Sequence, residues 1–202
     1  EYFFLAEAAI RLVFVDGKYM PQLSTPAQRL ENRGLTVTNL SSAITANAEA
    51  IEPHLGQYAR FEDNLFAALN TAFLHDGALV IVPRGAVIDT PVHVLLIATQ
   101  PEAASHPRCL FIAEAGSEIT ILEDYVSLNE AVYVTNAVTE IVVGDNAQVS
   151  HIRVQRDSTE AFHIGNCAVS LTHASRYRSV SVALGARISR YDLNTVLGAE
   201  GA

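Results

Sequence analysis

The sequence predicts a mainly β protein, built as a solenoid in which successive coils of the chain stack on one another. From Ala78 to Arg156, extended apolar runs alternate with short turns and leave almost no room for a helix. The turn glycines Gly85, Gly116 and Gly144 are separated by 31 and 28 residues, an interval too long for hairpins and regular enough for repeated coils. Runs such as 92–98 are apolar on both faces, which is typical of strands covered on both sides.

Residues 1–60 are predicted to form a small α/β entry segment that precedes the solenoid. Extended residues flank Asp16 and Gly17, a dipeptide that favours the tight turn of a β-hairpin because both positions accept positive φ. A second strand signal follows, and then a short helix for which Ser41 or Ser42 is the predicted N-cap. No residue of this segment suggests a catalytic role.

A second, better specified helix is predicted where the entry segment meets the solenoid, with Asp63 as its N-cap, His75 in its last turn and Gly77 at its end. Its apolar residues recur at the period of one helix face and are Leu65, Phe66, Leu69, Ala72 and Phe73. Because an apolar face of that width must be buried, we expect it to lie over the open end or the side of the first coil.

The solenoid itself is predicted over residues 61–202, with inward ladders of Val, Ile and Leu and a polar loop at 99–107. Its extended segments are Leu79–Ala98, Arg108–Val126, Val132–Val143, Gln148–Gln155, Ala161–Leu171, Arg178–Leu184 and Arg187–Leu197. The alternation of apolar and polar residues is clearest near the C-terminus, where Val180, Val182 and Leu184 share one face of a strand. We interpret this segment as a half-buried strand.

Composition excludes several classes of function. The net charge of −9 argues against nucleic-acid binding, which needs a basic surface. No apolar run approaches the ~18 residues of a membrane span, and no secretory signal is recognisable, so we expect a cytoplasmic protein, or a stromal one in a plastid. Cys109 and Cys167 are the only cysteines, too few for a disulfide framework.

A series of motifs resembles the SufB/SufD family of the SUF iron-sulfur cluster assembly machinery. The motifs occur in family order and are Phe66–Gly77, Ile81–Gly85, Pro91–Leu96, Thr135–Glu140, Ala161–Ile164, Gly185–Leu193 and Gly198–Gly201. The resemblance covers roughly Phe61 to the C-terminus and is closer to SufD, because the turn from Gly85 to Pro91 lacks the cysteine of SufB-like proteins. It implies a right-handed parallel β-helix.

The resemblance also implies a function, a non-enzymatic scaffold subunit that pairs with a SufB-like subunit and a SufC-like ATPase. The chain opens without Met and closes in what looks like another coil, so we expect native chain to be missing at both ends. The family's cluster-linked histidine and its SufC-docking surface belong to missing parts, and neither is carried to a residue here. A carbohydrate-active β-helix enzyme and a self-assembling structural solenoid remain as alternatives, and an uncapped final coil predicts a homodimer when the chain is isolated.

The most suggestive group of side chains is His163, Cys167 and His173, with Glu160 nearby. His163 and Cys167 share one face of a strand, but four strand residues rise by ~13 Å, which is beyond the reach of one metal ion. We therefore interpret Cys167 as a small core residue, and Cys109 in the same way. We predict no catalytic, cofactor-binding or metal-binding residue and no cofactor in this chain.

Two strand histidines and a set of acidic residues complete the candidates. His93 and His151 are interpreted as partly buried histidines with satisfied hydrogen bonds, because one imidazole without a second functional group is not a site. The acidic residues Asp124, Asp157 and Glu160 could belong to a polysaccharide-processing groove only if they converged. They stand at positions typical of turns, and we expect them to be solvated.

Overall fold

The computed structural model describes residues 10–25, 34–62 and 64–202, and it confirms a parallel β-helix of about four turns. The strands are β1 (Ile10–Val15), β2 (Lys18–Tyr19), β3 (Thr36–Asn39), β4 (Ala78–Val82), β5 (Val87–Ala98), β6 (Ala104–Ser105), β7 (Arg108–Ala113), β8 (Glu118–Ser127), β9 (Val134–Val143), β10 (Gln148–Arg156), β11 (Phe162–Leu171), β12 (Arg176–Ala183) and β13 (Ile188–Leu197). The helices are α1 (Leu40–Asn47) and α2 (Leu65–Ala72), with single 3₁₀ turns at Pro21–Leu23 and Ala48–Ala50.

Two sheets form the walls of the β-helix, and each coil contributes one strand to each of them. The first sheet has the order β12-β10-β8-β5-β1-β2, and the second has the order β13-β11-β9-β7-β4-β3, with β6 beside β9. Neighbouring strands are parallel except for the pairs β1/β2 and β3/β4 at the entry. Register aligns Val80, Phe111, Ile141 and Val169 in one inward ladder, so the expected apolar ladders are present.

The three glycines that predicted the coils have two different functions. Gly85 and Gly116 adopt φ of +69° and +70°, the left-handed conformation that glycine accepts without strain. Gly144 is needed for space, because a Cβ atom there would lie 2.8 Å from the backbone nitrogen of Ala115 in the coil below. Glycine spacing therefore marked the coils correctly.

The entry segment contains the predicted hairpin but caps its helix differently. Asp16 and Gly17 form the turn with φ of 48° and 76°, and the Asp16 carboxylate accepts a hydrogen bond of 2.7 Å from the backbone N–H of Thr99. The N-cap of α1 is Asn39, and the Asp76 carboxylate accepts the backbone N–H of Ser41. The prediction of a serine cap was therefore wrong, since a carboxylate distant in sequence supplies the acceptor.

Helix α2 also differs from the prediction at both ends. Its N-cap is Asn64, whose side chain accepts the backbone N–H groups of Phe66 and Ala67, and the predicted cap Asp63 lies outside the described residues. The helix ends at Ala72, so His75 and Gly77 lie beyond it. Gly77 instead passes the neighbouring coil so closely that a Cβ atom would lie 1.8 Å from a backbone oxygen.

The predicted apolar face of α2 is exposed. Leu65 and Phe73 are 77% and 61% exposed, whereas Ala67 and Asn70 are the buried residues of the helix. The Asn70 amide donates to the backbone carbonyls of Pro107 and Asn136, which holds α2 against β9 and β11 rather than the first coil. Helix α1 packs on the outer faces of β4 and β7 instead.

Strand β12 carries its apolar and polar residues on the sides opposite to those the pattern suggested. Register places Ser179 beside His151 and Ser181 beside Arg153, so the serines continue the interior face. Val180 and Val182 lie on the outer face and are 39% and 37% exposed.

Within the described ranges, no helix has the length and apolar character to cross a bilayer. The boundary between the entry segment and the solenoid at residue 60 stays a prediction.

Candidate functional site

On the inner face of the first sheet, part of the interior changes from apolar to polar along the axis of the β-helix, and this polar part is the candidate site, whereas the ladder from Val80 to Val169 on the second sheet stays apolar. In one row of the first sheet, Val94 of β5 is followed by Glu123 of β8 and Arg153 of β10. In the next row, Ile121 of β8 is followed by His151 of β10. Each of these charged side chains is 1–2% exposed and is therefore removed from water.

Glu123 and His151 form a buried ion pair, with 3.0 Å between the carboxylate Oε2 and the imidazole Nε2. The other carboxylate oxygen accepts the Thr139 hydroxyl at 2.8 Å, and His151 Nδ1 lies 2.9 Å from the Tyr177 hydroxyl. Burial alone would lower the pKa of His151, but Cys167 and Glu123 raise it to about 10. Burial alone would raise the pKa of Glu123, but the contact with His151 lowers it. Both groups therefore carry charge at neutral pH.

Arg153, His163 and Asp157 form a second chain of contacts nearer the corner between the two sheets. Burial lowers the pKa of His163, so its imidazole is neutral, with Nδ1 donating to Asp157 at 2.8 Å and Nε2 accepting from the Arg153 guanidinium. Asp157 also accepts from the Tyr133 hydroxyl and the Gln155 amide, both at 2.7 Å. Burial alone would raise the pKa of Asp157, but hydrogen bonds from His163, Tyr133 and Gln155 lower it.

Aromatic rings enclose the Arg153 guanidinium. Its central carbon lies 4.5 Å from the ring centroid of Tyr191 and 5.2 Å from that of Tyr125, which is within the range of cation–π attraction. Gly165 provides the space, because a Cβ atom at that position would lie 3.3 Å from the guanidinium. The interior therefore holds two anions and two cations, and each cation contacts partners within the β-helix.

Both cysteines face this interior, in a row formed by Cys109, Thr139 and Cys167 on three successive strands. Two strand spacings separate their Cα atoms by ~9–10 Å, which is too far for a disulfide. Burial and the Glu123 carboxylate raise the pKa of the Cys109 thiol well above its usual range. Among the described residues, no three His, Cys, Asp or Glu side chains are arranged to hold a metal ion.

The other candidates do not join this group. His93 lies on the outer face of the first sheet with its Nε2 3.4 Å from Asp124, and Asp124 accepts 2.8 and 3.0 Å hydrogen bonds from Arg156. His173 and Glu160 are exposed. Asp124 and Asp157 are buried and paired, so the expectation that they are solvated was wrong, while it holds for Glu160.

Sequence reasoning missed the charged residues that organise the structure. Glu123 and Arg153 occupy matching inward positions on neighbouring strands, 30 residues apart. On the outer face, Glu140 and Arg108 form a buried ion pair of 2.8 Å. A charged residue at the same inward position of successive coils is the signal that could have identified Glu123 and Arg153.

This arrangement suits a rigid body better than a reaction centre, because the buried ionic groups contact one another and the Cys109 thiol is held neutral. Fold and interior together define the class, a parallel β-helix protein with a charge-paired interior.

Two family models match the chain: the SufBD protein N-terminal region over residues 8–94 and the SUF system FeS cluster assembly, SufBD core domain over residues 96–202. The chain therefore belongs to the SufBD family of iron-sulfur cluster assembly proteins.

Named relatives agree with this assignment. An iron-sulfur cluster assembly SufBD family protein of Synechocystis is 37% identical over 96% of this chain and 44% of its own length. The iron-sulfur cluster assembly protein SufD of Bacillus subtilis is 27% identical over 66% of this chain and 32% of its own length. A SufBD family protein of Staphylococcus haemolyticus is 26% identical over 87% of this chain and 38% of its own length. The chain thus spans less than half the length of these relatives.

Proposed function

We propose that this chain is a SufD-like scaffold component of cytoplasmic iron-sulfur cluster assembly, with no catalytic activity of its own. It pairs with a SufB-like subunit and a SufC-like ATPase, and the cluster is the cargo built where the subunits meet. The observation that carries this proposal is the family match, which extends over residues 8–94 and 96–202. The relative from Bacillus subtilis that is named SufD supports the SufD-like assignment.

The geometry of the β-helix supports a scaffold role. In the described interior, Glu123 pairs with His151, whereas Asp157 and Arg153 both contact His163, so each of these charged groups is held by contacts within the chain. Parallel strands hydrogen-bonded in sequence from β5 to β12 and from β4 to β13 make a rigid body with extended outer faces. A scaffold needs a stiff surface of this kind to hold two partners in fixed positions.

The alternative of a carbohydrate-active enzyme requires two carboxylates that face one groove. Asp124 instead binds Arg156 on the outer face, and Asp157 binds His163 at the interior corner. Glu160 is exposed, 3.9 Å from Arg187. These separate pairings favour the scaffold proposal over a glycosidase.

The test is co-expression of the full-length protein with the SufB-like and SufC-like proteins of the same organism, with an affinity tag on the SufC-like subunit. We expect this protein to be retained with both partners in stoichiometric amounts after gel filtration. Recovery of a complex of the other two subunits that excludes this protein, although it is present and folded, would refute the proposal.

A further inference from the structure

A cavity of about 130 Å³ lies at the corner where the hairpin turn, the end of β5 and the start of β9 meet. We name it the corner cavity, and its defining residues are Asp16, Leu96, Tyr125, Tyr133, Thr135 and Asp157. Exposed Gln100 and Ala104 stand on its wall, whereas Tyr125 and Asp157 are 2% and 6% exposed. The cavity therefore connects the surface with the polar interior.

The size of the corner cavity limits its occupant. Pockets for drug-sized ligands have volumes of roughly 300–1,000 Å³. A cavity of about 130 Å³ lies below this range. A compact molecule of a few non-hydrogen atoms fits these walls.

The charges around the corner cavity are negative. Two of its lining residues, Asp16 and Asp157, carry carboxyl groups, and none of the described lining residues is Lys, Arg or His. The group in direct contact with Asp157 is the imidazole of His163, which is neutral because burial lowers its pKa. Arg153 does not line the cavity, although its guanidinium carbon lies 5.2 Å from the ring centroid of the lining residue Tyr125.

The remaining walls combine aromatic and aliphatic surface. Tyr125 and Tyr133 contribute rings, and Leu96, Val126 and Val134 contribute aliphatic groups. Burial and the Asp157 carboxylate raise the pKa of Tyr133, so its hydroxyl stays protonated and donates to Asp157. An aromatic face attracts a cation whose charge is spread over alkyl groups, and a desolvated carboxylate adds a second attraction.

We propose that the corner cavity is a binding site for a small organic cation of the alkylammonium class. The carboxylates and the Tyr133 ring attract the charge, because the Tyr125 ring already contacts the Arg153 guanidinium, and the aliphatic walls contact the alkyl groups. This site does not depend on the scaffold role, because its residues belong to the entry hairpin and the middle coils.

The test compares tert-butylammonium with tert-butanol, which has nearly the same shape and no charge. Methyl NMR spectra of the full-length protein are recorded at constant ionic strength, and resonances of Ile97, Val126 and Val134 report on the cavity. We expect saturable shifts of these methyl groups with tert-butylammonium at millimolar concentration. Binding of tert-butanol is expected to be at least tenfold weaker.

Two variants identify the residues that bind the cation. Asp16→Asn keeps a residue that accepts positive φ and is expected to weaken binding at least threefold, and Asp157→Asn is expected to weaken it further. Asp89→Asn, an equal change of charge on an exposed residue near the start of β5, is the matched control and is expected to have no effect. The proposal is overturned by equal binding of tert-butanol, by shifts that do not saturate, or by equal effects of the Asp16 and Asp89 variants.

Discussion

The imidazole of His151 keeps its proton far into the alkaline range, since Cys167 and Glu123 raise its pKa to about 10 although burial opposes this. A raised pKa in the folded state adds stability that is complete below the unfolded value of about 6.5 and is lost as the pH rises through the folded value. Glu123, whose pKa is lowered, adds stability above about pH 4.5 that is lost on acidification. The ion pair therefore adds most to the free energy of unfolding between about pH 4.5 and about pH 6.5.

We predict that the free energy of unfolding decreases by about 1 kcal/mol per pH unit between roughly pH 7 and 9 because of His151 alone. Urea titrations at several pH values measure this slope. The double variant Glu123→Gln/His151→Gln, which replaces the ion pair by two amides, is expected to have a flatter profile over the same range. An unchanged slope in the double variant would contradict the assignment.

A second prediction concerns the cysteines, which lie on one interior row two strands apart. Because two strand spacings separate their Cα atoms by ~9–10 Å, which is too far for one metal ion to be bound by both thiolates, we expect the isolated chain to contain no stoichiometric iron or zinc. Elemental analysis of the purified chain and of its Cys167→Ser variant provides the measurement. A full equivalent of metal that is lost in the variant would show this expectation to be wrong.

At the scale of the elements, Glu140 of β9 fastens the entry segment to the β-helix. Its carboxylate accepts the backbone N–H groups of Gly56, Tyr58 and Ala59 at 2.8–3.0 Å and also binds the buried Arg108 guanidinium. One buried side chain thus supplies the acceptors for residues 56–59, which belong to neither sheet.

We predict that Glu140→Gln lowers the free energy of unfolding by about 3 kcal/mol, because it leaves a buried guanidinium without its counter-charge. Amide exchange at 56–59 is expected to become faster than in the wild type. The matched control is Glu62→Gln, which removes an exposed ion pair of 3.7 Å with Arg60 and is expected to cost under about 1 kcal/mol. Equal effects of the two variants would exclude this role of Glu140.

The strands and turns were predictable because β-branched residues and spaced glycines act locally. The charged interior was harder to predict from the sequence. Glu123 contacts His151 only because of a strand register that depends on the length of every turn between them. The orientation of α2 was mispredicted because Asn70 binds two backbone carbonyls, and this overrides the apolar stripe that contains Leu65. Local propensity thus identified the coils, while contacts between coils decided which side chains lie inside.

At the scale of the whole molecule, β12 and β13 each have one described strand neighbour and expose apolar side chains. Leu184 and Leu197 are 67% and 66% exposed. Backbone groups at a free strand edge pair readily with another strand.

We predict that the 202-residue chain associates with a second copy through residues 185–202. Light scattering at tens of micromolar is expected to report a dimer, with amide exchange over this range slower at higher concentration. Leu197→Asp is expected to give a monomer, whereas Val87→Asp, at a position of the first coil that is 61% exposed, is expected to leave the dimer intact. A monomer at all concentrations would refute this interface.

The change from an apolar to a charged interior along the axis also has a thermal consequence. Exposure of apolar surface raises the heat capacity of unfolding and exposure of polar surface lowers it. The coil lined by Val80, Val94 and Leu96 therefore loses stability on cooling, as hydrophobic burial does. The coils around Glu123 and Arg153 also expose buried charged groups on unfolding, so we expect their stability to depend less on temperature than that of the first coil.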